Sequence, residues 1–404
     1  MVLYVRVFNG VSDFNLLLPI NVQSHNFHHL GKIMNLHKLL PYTLFCISIP
    51  VQAIENIDMN SFLTVGAATM SEDGRYLDKI TEQLSFENDS VYGINIRTKV
   101  SDRVSGAAQL LATSKSSNFN IEAEWAYVSY KFSESNSIRA GKLNLTTFLL
   151  SDYANVGYLF PWIRPPVEVY ENNPLKNFLG AEWLNVNRIG RNAKLTTQFF
   201  VGSAQVEDNG LTFRAADGLG FNLQLDTPHY SLRFGGISPS IQLEGADPTT
   251  GLVSDVVDLD DRGVMYTLGA SVDWNNFILY TEAMATDTEG QTQAIFPNQT
   301  GAYLTLGYQI DKYLPHLTVG TSSGDDYTGV VPAGIPGARP PVTQDTVTLG
   351  LRYDVDDSVA LKFEYQVVNL EEDKGDGFGI IEANVVPNTI DSYDVISVAM
   401  DVIF

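Results

Sequence analysis

The 404-residue chain carries 25 lysine and arginine residues against 47 aspartate and glutamate residues, a formal net charge of −22. Such acidity argues against a nucleic-acid-binding protein, whose binding surface is expected to be basic. No run of about 18 apolar residues occurs in the sequence, so we predict no transmembrane helix.

The segment 34–53 has the pattern of a secretory signal peptide. A short polar start precedes the apolar run 39–49, and small residues follow at a cleavage position. We therefore expect the mature chain to begin at Ile54, and residues 1–33 to be a mis-assigned upstream extension, with an unusually long leader as the other interpretation. The alternative to a signal peptide is a buried helix at 39–49. The single cysteine, Cys46, lies inside the signal, so the mature chain would suit an oxidising compartment without disulfides.

The last twelve residues, 393–404, alternate between apolar and polar side chains. One face carries Ile396, Val398, Met400, Val402 and Phe404. This period of two is that of a β-strand with one apolar face. A soluble sandwich strand that happens to end in phenylalanine is the alternative.

Strand-like segments of about ten residues recur through the rest of the mature chain, the length that a tilted membrane strand needs. We predict sixteen, an even number as in single-chain bacterial barrels. They fall near 59–69, 91–100, 104–112, 121–132, 137–143, 180–187, 193–203, 219–227, 230–238, 264–274, 277–286, 301–310, 316–322, 345–354, 359–369 and 393–404.

Short turns and long loops alternate between these segments, which is the pattern of an outer-membrane barrel with its long loops outside. An even strand count places both termini on the periplasmic side. The long loops are expected near 70–90, 113–120, 144–179, 204–218, 239–263, 287–300, 323–344 and 370–392. No linker divides 54–404, so the sequence predicts one all-β domain, a closed transmembrane antiparallel β-barrel.

The loop from Asn144 to Leu179 differs from the others in composition. It is rich in aromatic residues and prolines and has few charges, whereas the other long loops are acidic. A loop of this length is usually functional or disordered, and this one has too much apolar surface for disorder. We therefore expect it to pack inside the barrel, since a sixteen-stranded barrel encloses an aqueous lumen.

This combination of signal, strand rhythm, closing strand and third loop resembles the family of trimeric general porins of Gram-negative outer membranes. The resemblance implies a third loop that narrows the pore, a homotrimer, and contact with outer-membrane lipid and lipopolysaccharide. It also implies that the barrel-assembly machinery recognises the strand ending at Phe404. The loop lacks the Pro-Glu-Phe-Gly-Gly type of motif of enterobacterial members, and its segment 160–168 resembles a marine-type branch.

Charged residues within the strands should face the lumen, because an arginine or lysine facing lipid at mid-depth costs about 2–4 kcal/mol. A basic wall opposing acids of the third loop would set a transverse field on passing solutes. The resemblance places that wall on the early strands, so the predicted constriction consists of Arg97, Arg139, Asp152, Arg164, Glu168 and Glu171. The other predicted lumen charges are Lys99, Arg233, Glu282, Arg352, Lys362 and Glu364.

Three further patterns suggest other chemistry. Residues 320–324 match the G-x-S-x-G nucleophile pattern, but the mature chain holds only His229 and His316, which we expect at the surface. The carboxylate-rich runs 255–261 and 371–377 are expected to be solvated external loops. Divalent-cation bridging to lipopolysaccharide phosphates is their alternative.

The sequence therefore predicts an outer-membrane porin for passive diffusion of small hydrophilic solutes, with no cofactor, no metal and no enzymatic step. One alternative is a channel selective for an anion or an oligosaccharide, with eighteen strands if one hairpin has escaped notice. A barrel that acts mainly as an adhesin or receptor is another, and an outer-membrane hydrolase is a third.

Overall fold

The structure, a computed structural model, describes residues 57–77, 79–115, 118–173, 175–208, 211–246, 253–331, 340–371, 379–381 and 391–404. The predicted signal and upstream extension lie outside these residues. Eighteen strands are described: β1 Ile57–Met70, β2 Gly74–Tyr76, β3 Val91–Lys99, β4 Val104–Lys115, β5 Asn118–Lys131, β6 Asn136–Asn144, β7 Asn177–Ile189, β8 Ala193–Asp208, β9 Leu211–Asp226, β10 Tyr230–Ala246, β11 Val253–Trp274, β12 Phe277–Thr288, β13 Gln299–Tyr308, β14 Tyr313–Gly324, β15 Gln344–Asp354, β16 Val359–Leu370, β17 Gly379–Ile381 and β18 Ser392–Ile403. One α-helix, α1, spans Val167–Tyr170, and short 3₁₀ turns span Gly157–Leu159 and Gly290–Ala294.

Sixteen of these strands form one closed antiparallel barrel, which confirms the predicted fold class and strand number. Every barrel strand pairs with its sequence neighbours, and β1 pairs with β18 to close the ring. At the closure Ser61 donates its backbone N–H to the carbonyl of Phe404 at 2.7 Å, and the amide of Phe404 donates back at 3.0 Å. Closure satisfies the backbone groups that lipid cannot.

The strands alternate between an apolar outer face and a more polar inner face. In β13, for example, Leu304, Leu306 and Tyr308 are exposed on the outside, whereas Tyr303 and Thr305 point inward and are buried. This alternation is the one that the sequence predicted, and it gives the barrel an outer surface suited to lipid. No helix among the described residues is long and apolar enough to cross a bilayer.

Four strands run well beyond their predicted ends. The segments 204–218 and 239–263, predicted as loops, belong largely to β8, β9, β10 and β11. Strand β11 has 22 residues, about 70 Å of extended chain, which is far more than a bilayer requires. The prediction was wrong because the sequence pattern marked the membrane-spanning part of each strand, whereas the pairing of β8 with β9 and of β10 with β11 continues past it.

The acidic run 255–261 therefore lies in a strand rather than in a loop. Strand β11 pairs with β10 from Val253 onward, but its pairing with β12 begins only at Gly263. The run thus borders a strand edge that no described strand covers. Most of the second acidic run, 371–377, lies outside the described residues.

Candidate pore constriction

The loop between β6 and β7, residues 145–176 and hereafter loop 3, folds into the lumen. Its Trp162 is buried at 2% exposure, and the indole Nε1 donates to the hydroxyls of Thr305 and Thr318 at 3.1 and 2.9 Å. Both threonines face inward on β13 and β14, as their burial and pairing register show. The predicted inward placement of the loop is therefore confirmed.

Three basic side chains of the wall donate hydrogen bonds to backbone carbonyls of loop 3. Arg233 bonds to the carbonyl of Phe148 at 2.5 Å, and Arg352 to those of Tyr158 and Phe160 at 2.6 and 3.1 Å. Lys362 donates to the carbonyls of Gly157 and Trp162 at 2.7 and 2.6 Å, and also pairs with Asp401 on β18 at 2.8 Å. These cations hold the loop rather than line open water.

Two acidic side chains of the wall accept hydrogen bonds from loop 3. Glu282 on β12 accepts from the amide of Leu149 at 2.7 Å, from the hydroxyl of Tyr170, and from Tyr303 of the wall. Glu364 on β16 accepts from the amide of Ile163 at 2.9 Å. Wall and loop thus satisfy each other's buried polar groups, which would otherwise be costly.

The helix α1 lies directly on two inward-facing glycines. A Cβ atom at Gly301 would stand 1.9 Å from the carbonyl oxygen of Glu168, and one at Gly320 would stand 2.5 Å from its carboxylate. The Glu168 carboxylate is 1% exposed and accepts from the Gln344 amide at 2.9 Å and the Thr346 hydroxyl at 2.8 Å. Glu168 therefore faces the wall, contrary to its predicted place opposite the arginines.

Arg164 also serves as an anchor. Its guanidinium binds the carboxylate of Asp89 through two bonds of 2.9 and 2.7 Å, and donates to the hydroxyl of Ser397 on β18 at 2.7 Å. The pair is largely buried, with side-chain exposures of 14% and 3%. Arg164 is thus paired and directed at the wall, instead of taking the predicted place in the open constriction.

Arg139 and Asp152 do lie on the open side of the lumen. Arg139 on β6 forms an ion pair of 2.9 Å with Glu182 on β7 and lies over the ring of Tyr127 at 5.2 Å. Asp152, on the edge of loop 3, is exposed and acts electrostatically on both Arg139 and Glu182. An exposed carboxylate of the loop therefore lies within electrostatic range of a paired arginine of the wall.

Three predicted residues lie elsewhere. Arg97 faces inward on β3, two residues before the strand ends, opposite Asp58 of β1, and is exposed. Lys99 is exposed beside the short turn and pairs with Asp102 at 2.9 Å. Glu171 is half-exposed and lies 3.6 Å from Lys176 near the root of loop 3. The structure therefore brings neither Arg97 nor Glu171 into contact with the Arg139 group.

Loop 3 covers the two sides of the barrel unequally. On β10 to β16 the inward residues at mid-depth are nearly all buried beneath it. On β3 to β7 inward side chains such as Arg97, Tyr127, Ser129 and Arg139 retain exposure. The inner surface that loop 3 leaves exposed therefore lies on the early strands, on the side of Arg139.

The two histidines have different surroundings. His229 is exposed in its turn, as predicted, but His316 is 5% exposed on the inner face of β14, which overturns its predicted surface position. Its ring occupies the space above Gly350 of β15, where a Cβ atom would approach within 2.0 Å. The imidazole fills space that glycine leaves, and loop 3 covers it.

The G-x-S-x-G match lies wholly within β14, with no strand–turn–helix elbow. Ser322 is 2% exposed and donates to the carbonyl of Val342 at 3.1 Å. A buried serine in a straight strand does not suit the role of an exposed nucleophile. Among the described side chains no group of three or more histidine, cysteine, aspartate or glutamate residues could hold a metal ion.

Several residues of the site were not among those predicted from the sequence. Glu182 and Asp401 were available as inward-facing charges on predicted strands, so alternation alone could have found them. Gly301 and Gly320 stand at inward positions of neighbouring strands, which is a signal of close backbone approach. Asp89 gave no such signal, because it lies in a loop.

No protein-family model matches the chain. No curated protein sequence matches it either. Solved structures do match in fold. A loop L8 deletion mutant of OmpT, an outer membrane protein of Vibrio cholerae, gives a TM-score of 0.56 at 11% identity, covering 86% of this chain and 99% of that one.

Two other similar structures are described as channels. The outer membrane channel DcaP of Acinetobacter baumannii gives a TM-score of 0.55 at 12% identity, covering 86% of this chain and 97% of its own. An anion-selective porin from Comamonas acidovorans gives 0.55 at 12% identity, covering 86% and 99%. The fold is therefore that of a porin-like barrel of the outer membrane.

Proposed function

We propose that the protein is an outer-membrane channel through which small hydrophilic solutes diffuse passively. The observation that carries this proposal is the uneven attachment of loop 3. The loop is anchored mainly to β10–β18 and touches β4 where Asn155 donates to Gln109 at 3.5 Å, while Arg97, Ser129 and Arg139 of β3–β6 keep exposure inside the barrel. A structural plug would be expected to cover both sides.

In this proposal Asp152 and Arg139 act on passing ions, and Arg97 lies closer to the periplasmic end. Glu182 is the buried partner of Arg139. Seven buried charged residues instead hold loop 3 in place. They are Arg164, Glu168, Arg233, Glu282, Arg352, Lys362 and Glu364. Because Arg139 is paired with Glu182, Asp152 gives the constriction a net negative charge. This supports a weak preference for cations, strongest at low salt where screening is least.

The assembly and export of the chain are part of the same proposal. We infer export by the signal at 34–53, recognition of the strand ending at Phe404 by the barrel-assembly machinery, and a homotrimer in contact with lipopolysaccharide. The resemblance to the trimeric porins supports these steps, and the marine-type branch stays a prediction. No cofactor takes part.

Single-channel recording in a planar bilayer tests the proposal. Purified barrel should produce discrete conductance steps, and liposomes that contain it should take up small sugars faster than large ones. Saturable block of the current by one anion or one oligosaccharide would identify the selective alternative. Folded barrel that produces no steps would overturn the channel proposal.

A second candidate, an adhesin or receptor, rests on a different observation. The hairpins β8–β9 and β10–β11 extend beyond the length a bilayer needs and offer a surface outside the membrane. Shortening both hairpins should leave conductance unchanged if the channel is the main function, whereas loss of binding to a cell or virus would support the receptor.

A further inference from the structure

The loop between β1 and β3, residues 71–90 and hereafter loop 1, contacts loop 3 inside the barrel. It contributes Asp89, whose carboxylate binds Arg164 of loop 3 through two hydrogen bonds. We propose that Asp89 is a positioning residue of the pore, an inference that rests on the proposed channel function. Asp89 holds the part of loop 3 around Arg164 in place and so sets the width of the passage.

The position of Asp89 is itself fixed by contacts with β1. Ser85 and Ala68 exchange backbone hydrogen bonds of 2.8 and 2.9 Å, and the hydroxyl of Ser90 accepts from the amide of Gly66 at 3.2 Å. A Cβ atom at Gly66 would stand 2.4 Å from that of Asp89. Loop 1 thus lies against the inner face of β1, and this contact fixes the position of Asp89.

Arg164 connects three separate parts of the chain. It belongs to loop 3, binds Asp89 of loop 1, and donates to Ser397 of the closing strand β18. An arginine fork that meets a carboxylate with two parallel bonds fixes direction as well as distance. The adjacent residue, Ile163, is held by Glu364, so the pair fixes a loop backbone that is already bonded to the wall.

An apolar contact reinforces the same junction. Val167 of α1 packs in a buried cluster with Tyr76 and Ile80 of loop 1 and with Tyr393 and Val395 of β18. In addition, β2 of loop 1 pairs with β17 of the last external loop. Loop 1 therefore contacts loop 3 through both a charge pair and packed side chains.

Removal of the Asp89 charge should affect loop 3 more than the barrel. An unpaired arginine in a buried site is costly, so the segment 160–167 should leave the wall part of the time. We expect Asp89→Ala to change the conductance step and increase open-channel noise while outer-membrane yield stays normal. Asp73→Asn is the matched control, because Asp73 is an exposed aspartate of the same loop.

A charge exchange separates positioning from simple loss of packing. Asp89→Arg alone should disturb the channel most, since it places two arginines together. Asp89→Arg combined with Arg164→Asp should restore the conductance step and noise toward those of the wild type. Failure of the double variant to improve on Asp89→Arg, in normally assembled barrel, would overturn the proposed pairing.

Hydrogen exchange keeps this test independent of the channel proposal. Amides of 160–167 should exchange about tenfold faster in Asp89→Ala than in the wild type, as expected for the loss of a charged hydrogen bond, whereas Asp73→Asn should not differ. Unchanged exchange would overturn the positioning role even if the wild type conducts. Faster exchange in a protein without conductance steps would preserve that role and overturn the channel.

Discussion

The carboxylate of Glu364, on the barrel wall, accepts a hydrogen bond of 2.9 Å from the backbone amide of Ile163, inside loop 3. This contact shows why a lumen wall carries buried charge. A loop without regular structure has unpaired backbone groups, and each must find a partner where water is excluded. Wall side chains supply those partners, so the buried charges of the wall take the place of water as hydrogen-bond partners of the loop backbone.

This role of Glu364 predicts different effects for two substitutions. Glu364→Gln keeps an acceptor for the amide of Ile163, whereas Glu364→Leu leaves that amide unsatisfied. We expect the leucine variant to be less stable than the glutamine variant by about 1–3 kcal/mol. Thermal unfolding of the purified barrel, followed by its heat-modified migration, measures the difference. Equal midpoints for the two variants would contradict a solvating role.

The ion pair of Arg139 predicts the direction of a selectivity change. Arg139→Ser removes the cation and leaves Glu182 and Asp152 at the constriction, so the reversal potential should shift toward cations. The shift should be larger at 0.1 M than at 1 M salt, since the Debye length falls from about 10 to about 3 Å. Arg103→Ser, in an exposed short turn, removes the same charge outside the lumen and should cause little shift.

The close seat of α1 predicts that Gly301 tolerates no side chain. Gly301→Val places a Cβ atom 1.9 Å from the Glu168 carbonyl, so the helix must leave the wall and alter the passage. We expect a changed conductance step and faster hydrogen exchange over Val167–Tyr170. Gly106→Ala is the control, because a Cβ atom there meets a methyl group of Thr98 at 3.3 Å and the carbonyl oxygen of Tyr127 at 4.0 Å, which the structure can accommodate. A Gly301 variant with normal exchange would disprove this packing.

The buried carboxylate of Glu168 predicts a dependence on pH. Burial raises the pKa of Glu168 above 4.5, although hydrogen bonds from Gln344 and Thr346 partly oppose that rise. The folded protein therefore holds this proton more tightly than the unfolded chain. Ionising Glu168 costs folding free energy. This cost is absent below the pKa of the unfolded chain and grows as the pH rises from about 4.5 to the pKa of the folded protein.

Glu168→Gln removes that cost and keeps a carbonyl acceptor. At neutral pH the variant should be at least as stable as the wild type, and its advantage should disappear near pH 4. Thermal unfolding of both proteins across this range tests the sign. A glutamine variant that is less stable at pH 7 but equal at pH 4 would show that the carboxylate stabilises the packed loop.

The sequence predicted the features that depend on the regular alternation of residues along a strand. Alternation predicted sixteen strands and the inward direction of residues such as Arg233 and Lys362, because lipid penalises any other arrangement. It could not predict which inward charges would stay in water, because that depends on where loop 3 lies. Thus Glu168 and Arg164, which the sequence predicted to line the pore, have other contacts: Glu168 binds the wall and Arg164 binds loop 1. Contacts between loops, such as Asp89 with Arg164, have no period to detect.

The final prediction concerns the passage itself. Removal of 152–171 deletes the part of loop 3 that crosses the lumen, including Asp152, Trp162 and α1. The barrel should still close, because the pairing of β1 with β18 does not involve the loop. Wall charges such as Glu364 would then face water, where they carry no burial cost.

The deletion variant should therefore conduct more per channel and admit larger sugars, because an empty sixteen-stranded barrel is a wider aqueous tube. Single-channel recording and liposome swelling with sugars of increasing size measure both effects. Outer-membrane yield and heat-modified migration check that the variant has assembled. If an assembled variant kept the wild-type conductance and the same sugar cutoff, loop 3 would not form the constriction, and Asp152 would have no part in selectivity.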